Sequence, residues 1–146
     1  MIVDEIKFKI IDYGSIEYKK AVFLRESILR APFGLTYSEA ELLSEKDQIH
    51  IVGVEDSKII STAVLAPEGV HCRMQRVVVK EDKVKKGIGT QMILFCEKLA
   101  KKHEFESIYG YARLSTVDFY LKMGFQPEEE CVDAYSVPHL RMRKII

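Results

Sequence analysis

Apolar and polar positions alternate near the start of the chain, where Ile6, Phe8 and Ile10 interleave with Lys7, Lys9 and Ile11. A period of two predicts a strand with one face against a core, and Gly14 ends it. Over 15–30 the spacing becomes helical, with Ile16, Lys20, Phe23 and Ser27 on one side and Lys19, Glu26 and Arg30 on the other. Ser15 is the expected N-cap and Pro32 the expected stop. Ser38, with Glu41 at capping-box spacing, predicts a second, short helix. The runs 49–54 and 58–65, joined by Glu55-Asp56-Ser57, predict a hairpin. Segment 70–80 contains Val77, Val78 and Val79, which predict a strand covered on both faces.

Ile88, Met92, Phe95, Cys96 and Leu99 then recur at helical spacing, with Glu97 and Lys101 placed for an ion pair one turn apart. A strand over 107–111 follows, then a helix over 115–122 carrying Val117, Tyr120 and Leu121 and closed by Gly124. Alternating segments near 130–135 and 140–145 complete an order of β, α, α, β, β, β, α, β, α, β, β. The implied class is α/β, a mixed (α+β) central sheet flanked by helices, with one right-handed crossover over 70–111.

The length of 146 residues suits a single domain over 1–146, and 47% hydrophobic with 30% charged residues is too apolar for disorder. Twenty-two basic residues balance 22 acidic ones, which argues against nucleic acid or an anionic membrane as the main partner. No signal peptide or bilayer-length apolar run is legible. Cys72, Cys96 and Cys131 are odd in number and lack paired spacing, so neither a disulfide framework nor a metal site is expected. They suit a reducing cytoplasm, and Cys96 reads as a small core residue.

The chemistry concentrates in Lys85-Lys86-Gly87-Ile88-Gly89-Thr90, between the valine strand and the next helix. Two glycines remove Cβ where main chain meets an anion, and the helix adds unpaired N–H groups and a positive end. A phosphate-bearing ligand is expected. Met92 stands where a dinucleotide fingerprint needs glycine or alanine, and Gly89-Thr90-Gln91 lacks the lysine of a P-loop.

Downstream lies Phe119-Tyr120-Leu121-Lys122-Met123-Gly124-Phe125. An apolar strand, a Gly-x-Gly loop and then this motif resemble the GNAT superfamily of acyl-CoA-dependent N-acyltransferases. Ser136-Val137-Pro138-His139-Leu140-Arg141-Met142, with 25–34 near the start, resembles its small ElaA-like branch. The resemblance implies acetyl-CoA as co-substrate, with its pyrophosphate on Val84, Lys85, Lys86, Gly87, Ile88, Gly89 and Thr90 and Lys83 adding charge nearby. It implies a pantetheine arm along the backbone of Val77, Val78 and Val79, and Tyr120 as the group that protonates the departing sulfur. Val84 replaces the family's usual Gln or Arg, and Arg113 replaces an asparagine common after the fifth strand.

The amine must also lose a proton, and His139, His71, Glu68 and Glu130 are candidates by chemistry. Arg25 and Arg30 either hold an acidic acceptor group through guanidinium forks or are solvated helix arginines. With His139 they form the expected acceptor side. The cysteines suggest no nucleophile, so the resemblance implies direct attack on acetyl-CoA by an amine, most simply that of a small molecule. A protein or peptide acceptor and a non-catalytic acyl-CoA-binding module are the alternatives. A homodimer is expected on general grounds.

Overall fold

The structure is a computed structural model that describes residues 5–83, 87–133 and 136–146. Strands β1 (Lys7–Ile11), β2 (Ile49–Glu55), β3 (Lys58–Glu68), β4 (His71–Val79), β5 (Ser107–Arg113), β6 (Gln126–Val132) and β7 (Pro138–Ile145) form one sheet in the order β1-β2-β3-β4-β5-β7-β6. β4 and β5 are parallel, joined across a helix, and the other neighbours are antiparallel. Four α-helices accompany the sheet among the described residues: α1 (Ile16–Leu29), α2 (Glu39–Leu43), α3 (Ile88–Lys102) and α4 (Val117–Lys122). The expected element order and mixed sheet are present.

Successive strand residues point to opposite faces. Ile51 joins the core beneath α3 with Met92, Ile93 and Cys96, whereas its neighbour Val52 packs with Tyr18 and Ala21 of α1. Helices therefore cover both faces of the sheet. α3 buries Ile88, Met92, Ile93, Cys96 and Ala100, and each fully buried Ile or Met contributes about 1.5–3 kcal/mol. Ser15 and Ser38 cap their helices as expected, Ser38 within a complete capping box.

Four local expectations need correction. α1 forms, but Ile16 and Phe23 are 73% and 78% exposed while Tyr18, Ala21 and Arg25 are buried. The inward face carries a charge because Glu45 neutralises it. Glu97 pairs with Lys144 at 3.0 Å, not with Lys101, because its side of α3 turns inward towards β7. Of the valine run, Val78 is fully buried while Val77 and Val79 are partly so. β6 begins at Gln126, earlier than its alternation suggests, and tolerates Pro127 because it is the edge strand.

Among the described residues, no helix is long and apolar enough to cross a membrane.

Candidate functional site

The site begins with a defect in a strand. β3 and β4 are in register from Glu68↔His71 to Val64↔Gln75, but the next pair is Thr62↔Val78, which leaves one extra residue on β4. Arg76 takes the left-handed conformation at φ 55°, and the Thr62 hydroxyl donates to its carbonyl at 2.9 Å. Such a bulge bends its strand and increases the twist. On the other side, β4 pairs with β5 only through His71↔Ser107, Cys72↔Ile108 and Arg73↔Tyr109. Beyond Arg73 the strands part. Gly110 stands at the fork, where an added Cβ would lie 2.8 Å from the Met74 carbonyl oxygen.

A cavity of about 580 Å³ opens there, lined by Met74, Gln75, Arg76 and Val77 on one side and Gly110, Ala112, Arg113 and His139 on the other. Tyr120 and Phe125 also line it. α4 presents Tyr120 edge-on to Phe119 and Phe125, with centroids 5.2 and 5.4 Å away. Burial, helped by the neighbouring Cys96 thiol, pushes Tyr120 up to about 12. The phenol therefore keeps its proton at neutral pH, and no described residue hydrogen-bonds its hydroxyl.

α3 starts beside the end of β4. Gly87 is its N-cap at φ 78°, no side chain caps it, and no acid stands in its first turn. The N–H groups of Ile88, Gly89 and Thr90 are those a helix leaves without internal acceptors. A Cβ at Gly89 would make only ordinary contacts, 3.5 Å from Phe119 and 3.9 Å from Val79. The fold itself does not demand glycine there. Val84, Lys85 and Lys86 lie outside the described residues. Lys83 pairs with Glu55 at 2.6 Å.

Of the proposed bases, His139 lines the cavity. Its Nδ1 lies 2.9 Å from the Val137 carbonyl, which can only accept, so Nδ1 carries the proton and Nε2 holds the lone pair of the neutral ring. His71 is engaged with Ser107 at 2.7 Å, Glu68 accepts from the Tyr109 hydroxyl, and Glu130 is exposed. None of these three lines the cavity.

The acceptor-side arginines divide. Arg25 is 1% exposed and ion-paired with Glu45 at 2.5 Å, so it is neither solvated nor turned into the cavity. Arg30 lines the cavity but forks onto Glu41 with contacts of 3.2 and 2.6 Å. That fork holds the Glu41 carboxyl down to about 2. Arg76 reaches the other Glu45 oxygen at 3.3 Å, tying the bulge to α1. The ring of Tyr37 lies among Arg25, Arg30 and Arg76, 4.8, 4.2 and 5.1 Å from its centroid.

Sequence reading missed Glu45, Tyr37 and the bulge. Glu45 sits in a polar stretch that reads as solvated, and Arg76 is not a residue that advertises a left-handed backbone. Cys72 and Cys96 are wholly buried, and burial raises both thiols, Cys72 to about 12. Neither presents a thiolate to a substrate.

A model of the acetyltransferase (GNAT) domain family matches residues 46–127, from just before β2 into β6. Several solved structures share the fold. Escherichia coli ElaA superposes with a TM-score of 0.80 at 19% identity, covering 96% of this chain and 99% of its own. An acyl-CoA N-acyltransferase from Pseudomonas aeruginosa gives 0.81 at 17%, with the same coverages. The PaiA N-acetyltransferase of Thermoplasma acidophilum, solved in complex with coenzyme A, gives 0.73 at 24%, covering 97% and 99%.

Proposed function

Because the chain belongs to the GNAT acetyltransferase family, we propose that it is an acetyl-CoA-dependent N-acetyltransferase acting on the primary amine of a small molecule, by direct attack in a ternary complex. The observation that carries this reading is the parting of β4 from β5 beyond Arg73 with Tyr120 facing the gap. A strand edge left without a neighbour offers N–H and C=O groups to an extended ligand. The N-terminus of α3, whose N-cap glycine has no side chain to occupy its N–H groups, suits a pyrophosphate. The family-related PaiA protein, solved with coenzyme A, agrees with that fit.

Acetyl-CoA supplies the activated thioester. The backbone N–H near Val78 is suited to hold the carbonyl oxygen as charge gathers on it. His139 Nε2 accepts the proton that the amine gives up as its nitrogen bonds to the acyl carbon. Tyr120 donates to the sulfur as the C–S bond breaks. A cavity of about 580 Å³ falls within the range of small-molecule sites, roughly 300–1,000 Å³. Both halves of the site lie on one sheet, so we read 1–146 as one functional unit.

Thiol release from acetyl-CoA with pooled amines, polyamines, amino acids and peptides tests the reading. Tyr120→Phe should lower kcat about 100-fold, the lower end for removing a general acid, with acetyl-CoA affinity nearly unchanged. Wild-type protein that binds acetyl-CoA yet releases no thiol with any acceptor would instead be a binding module.

A further inference from the structure

The cations around the cavity differ in what neutralises them. Arg30 is held by Glu41, Arg76 by Glu45, and Arg73 approaches Glu68 at 3.7 Å. Arg113 lines the same cavity and, among the described residues, has no carboxylate at ion-pair distance. The two acids in the lining are engaged elsewhere: Glu41 with Arg30, and Asp133 accepting the Val137 N–H at 2.9 Å. A cation in a partly enclosed cavity, without a protein counter-ion, calls for an anionic ligand.

Its setting specifies the shape of that anion. The Arg113 guanidinium lies over the half-exposed Phe33 ring, 5.6 Å from its centroid. A guanidinium held over an aromatic ring keeps N–H groups for an anion, and a planar carboxylate can take two of them in parallel. Arg113 is also the cross-strand partner of His139, and such residues lie about 4.5–5.5 Å apart at Cα. The cation and the proton acceptor thus sit side by side. Arg73, more loosely held, stands in register with Tyr109, roughly 13 Å back along the strand at 3.3 Å per residue.

We infer that Arg113 selects the acceptor by its carboxylate, so that the preferred substrates are small amino acids whose carboxylate lies a few bonds from the amine that is acetylated. The inference rests on the acetyltransferase reading for its chemistry and on the cavity for its recognition. Phe33 and Arg113 come from distant parts of the chain and meet in the lining of one cavity.

The test uses ω-amino acids with one to five methylenes between amine and carboxylate, each alongside its carboxamide and its phosphonate counterpart. Wild-type kcat/KM should favour the carboxylate over the carboxamide by about ten- to a hundredfold, as for a charge-assisted hydrogen bond. Arg113→Met should abolish that preference, bringing the carboxylate-to-carboxamide ratio of kcat/KM to about one while KM for acetyl-CoA stays within about twofold, and Arg113→Lys should restore part of the ratio. In parallel, calorimetric titration of the same compounds onto the intact 146-residue chain, alone and saturated with CoA, reads recognition without turnover. Tighter carboxylate binding that disappears in Arg113→Met supports the inference even if no compound releases thiol, a result that would overturn only the acetyltransferase reading. Thiol release without carboxylate preference, a preference for phosphonate, or a preference that survives Arg113→Met overturns the carboxylate site and leaves the acetyltransferase reading intact.

Discussion

The two halves of the cleft are built from different materials. On the donor side, the parted edge of β4 and the first turn of α3 offer main-chain groups, and the telling side chains are absent ones, at Gly87 and Gly89. On the acceptor side, the wall is made of charged and aromatic side chains, Arg30, Tyr37, Glu41 and Arg76, held by one another and by Glu45. On the proposed reading, backbone donors meet what every acyl-CoA shares. Side chains would then meet what differs between acceptors, and those already paired within the protein serve shape more than recognition.

The largest effect that would expose this difference lies beneath the acceptor wall. Glu45→Ala leaves Arg25 buried without its counter-ion and should destabilise the protein by about 3–5 kcal/mol, read as a lowered urea midpoint. An unchanged midpoint would show that the wall does not depend on this pair. On the donor side, Gly89→Val inserts a side chain where the proposed function brings a pyrophosphate against backbone. Acetyl-CoA at 100 times its dissociation constant should stabilise wild type by about 2.7 kcal/mol and the variant hardly at all. Retained stabilisation would remove the α3 terminus from the site.

A smaller effect concerns acid. Arg30 lowers the Glu41 carboxyl from 4.5 to about 2, so the pair's contribution is fully present above pH 4.5 and fades as pH falls through about 2. The melting temperature of Glu41→Gln should vary less with pH across that window than that of wild type. The smallest expected effect is a control: Thr90→Ala keeps the backbone N–H and should leave acetyl-CoA affinity within about twofold, since those donors do not depend on the side chain. A large loss would move recognition onto the hydroxyl.

Much of the scaffold was legible because single residue types enforce it. Ser15 and Ser38 cap, Gly124 takes φ 92° after α4, and Ile88, Met92 and Cys96 repeat at the helical period. The orientation of α1 was not, because the apolar Ile16 and Phe23 lie outside while Arg25 is drawn inward by a partner 20 residues away. The glycine loop and Tyr120 could be singled out from local motifs. Which arginines are already neutralised is a property of distant pairs. In the sequence Arg113 is only a departure from a family pattern, and its meaning comes from Phe33 and His139 beside it.

The bulge at Arg76 also resets the parity of β4. In an uninterrupted strand Cys72, Met74, Arg76 and Val78 would share a face, and the guanidinium would enter the apolar layer beneath α3. With one residue inserted, Val77 and Val79 pack against that layer instead, and Arg76 reaches Glu45. Three successive valines make the strand indifferent to the change, since either phase supplies the core with a valine. The repeat that hides the irregularity from a reader of the sequence is what lets the protein hold it.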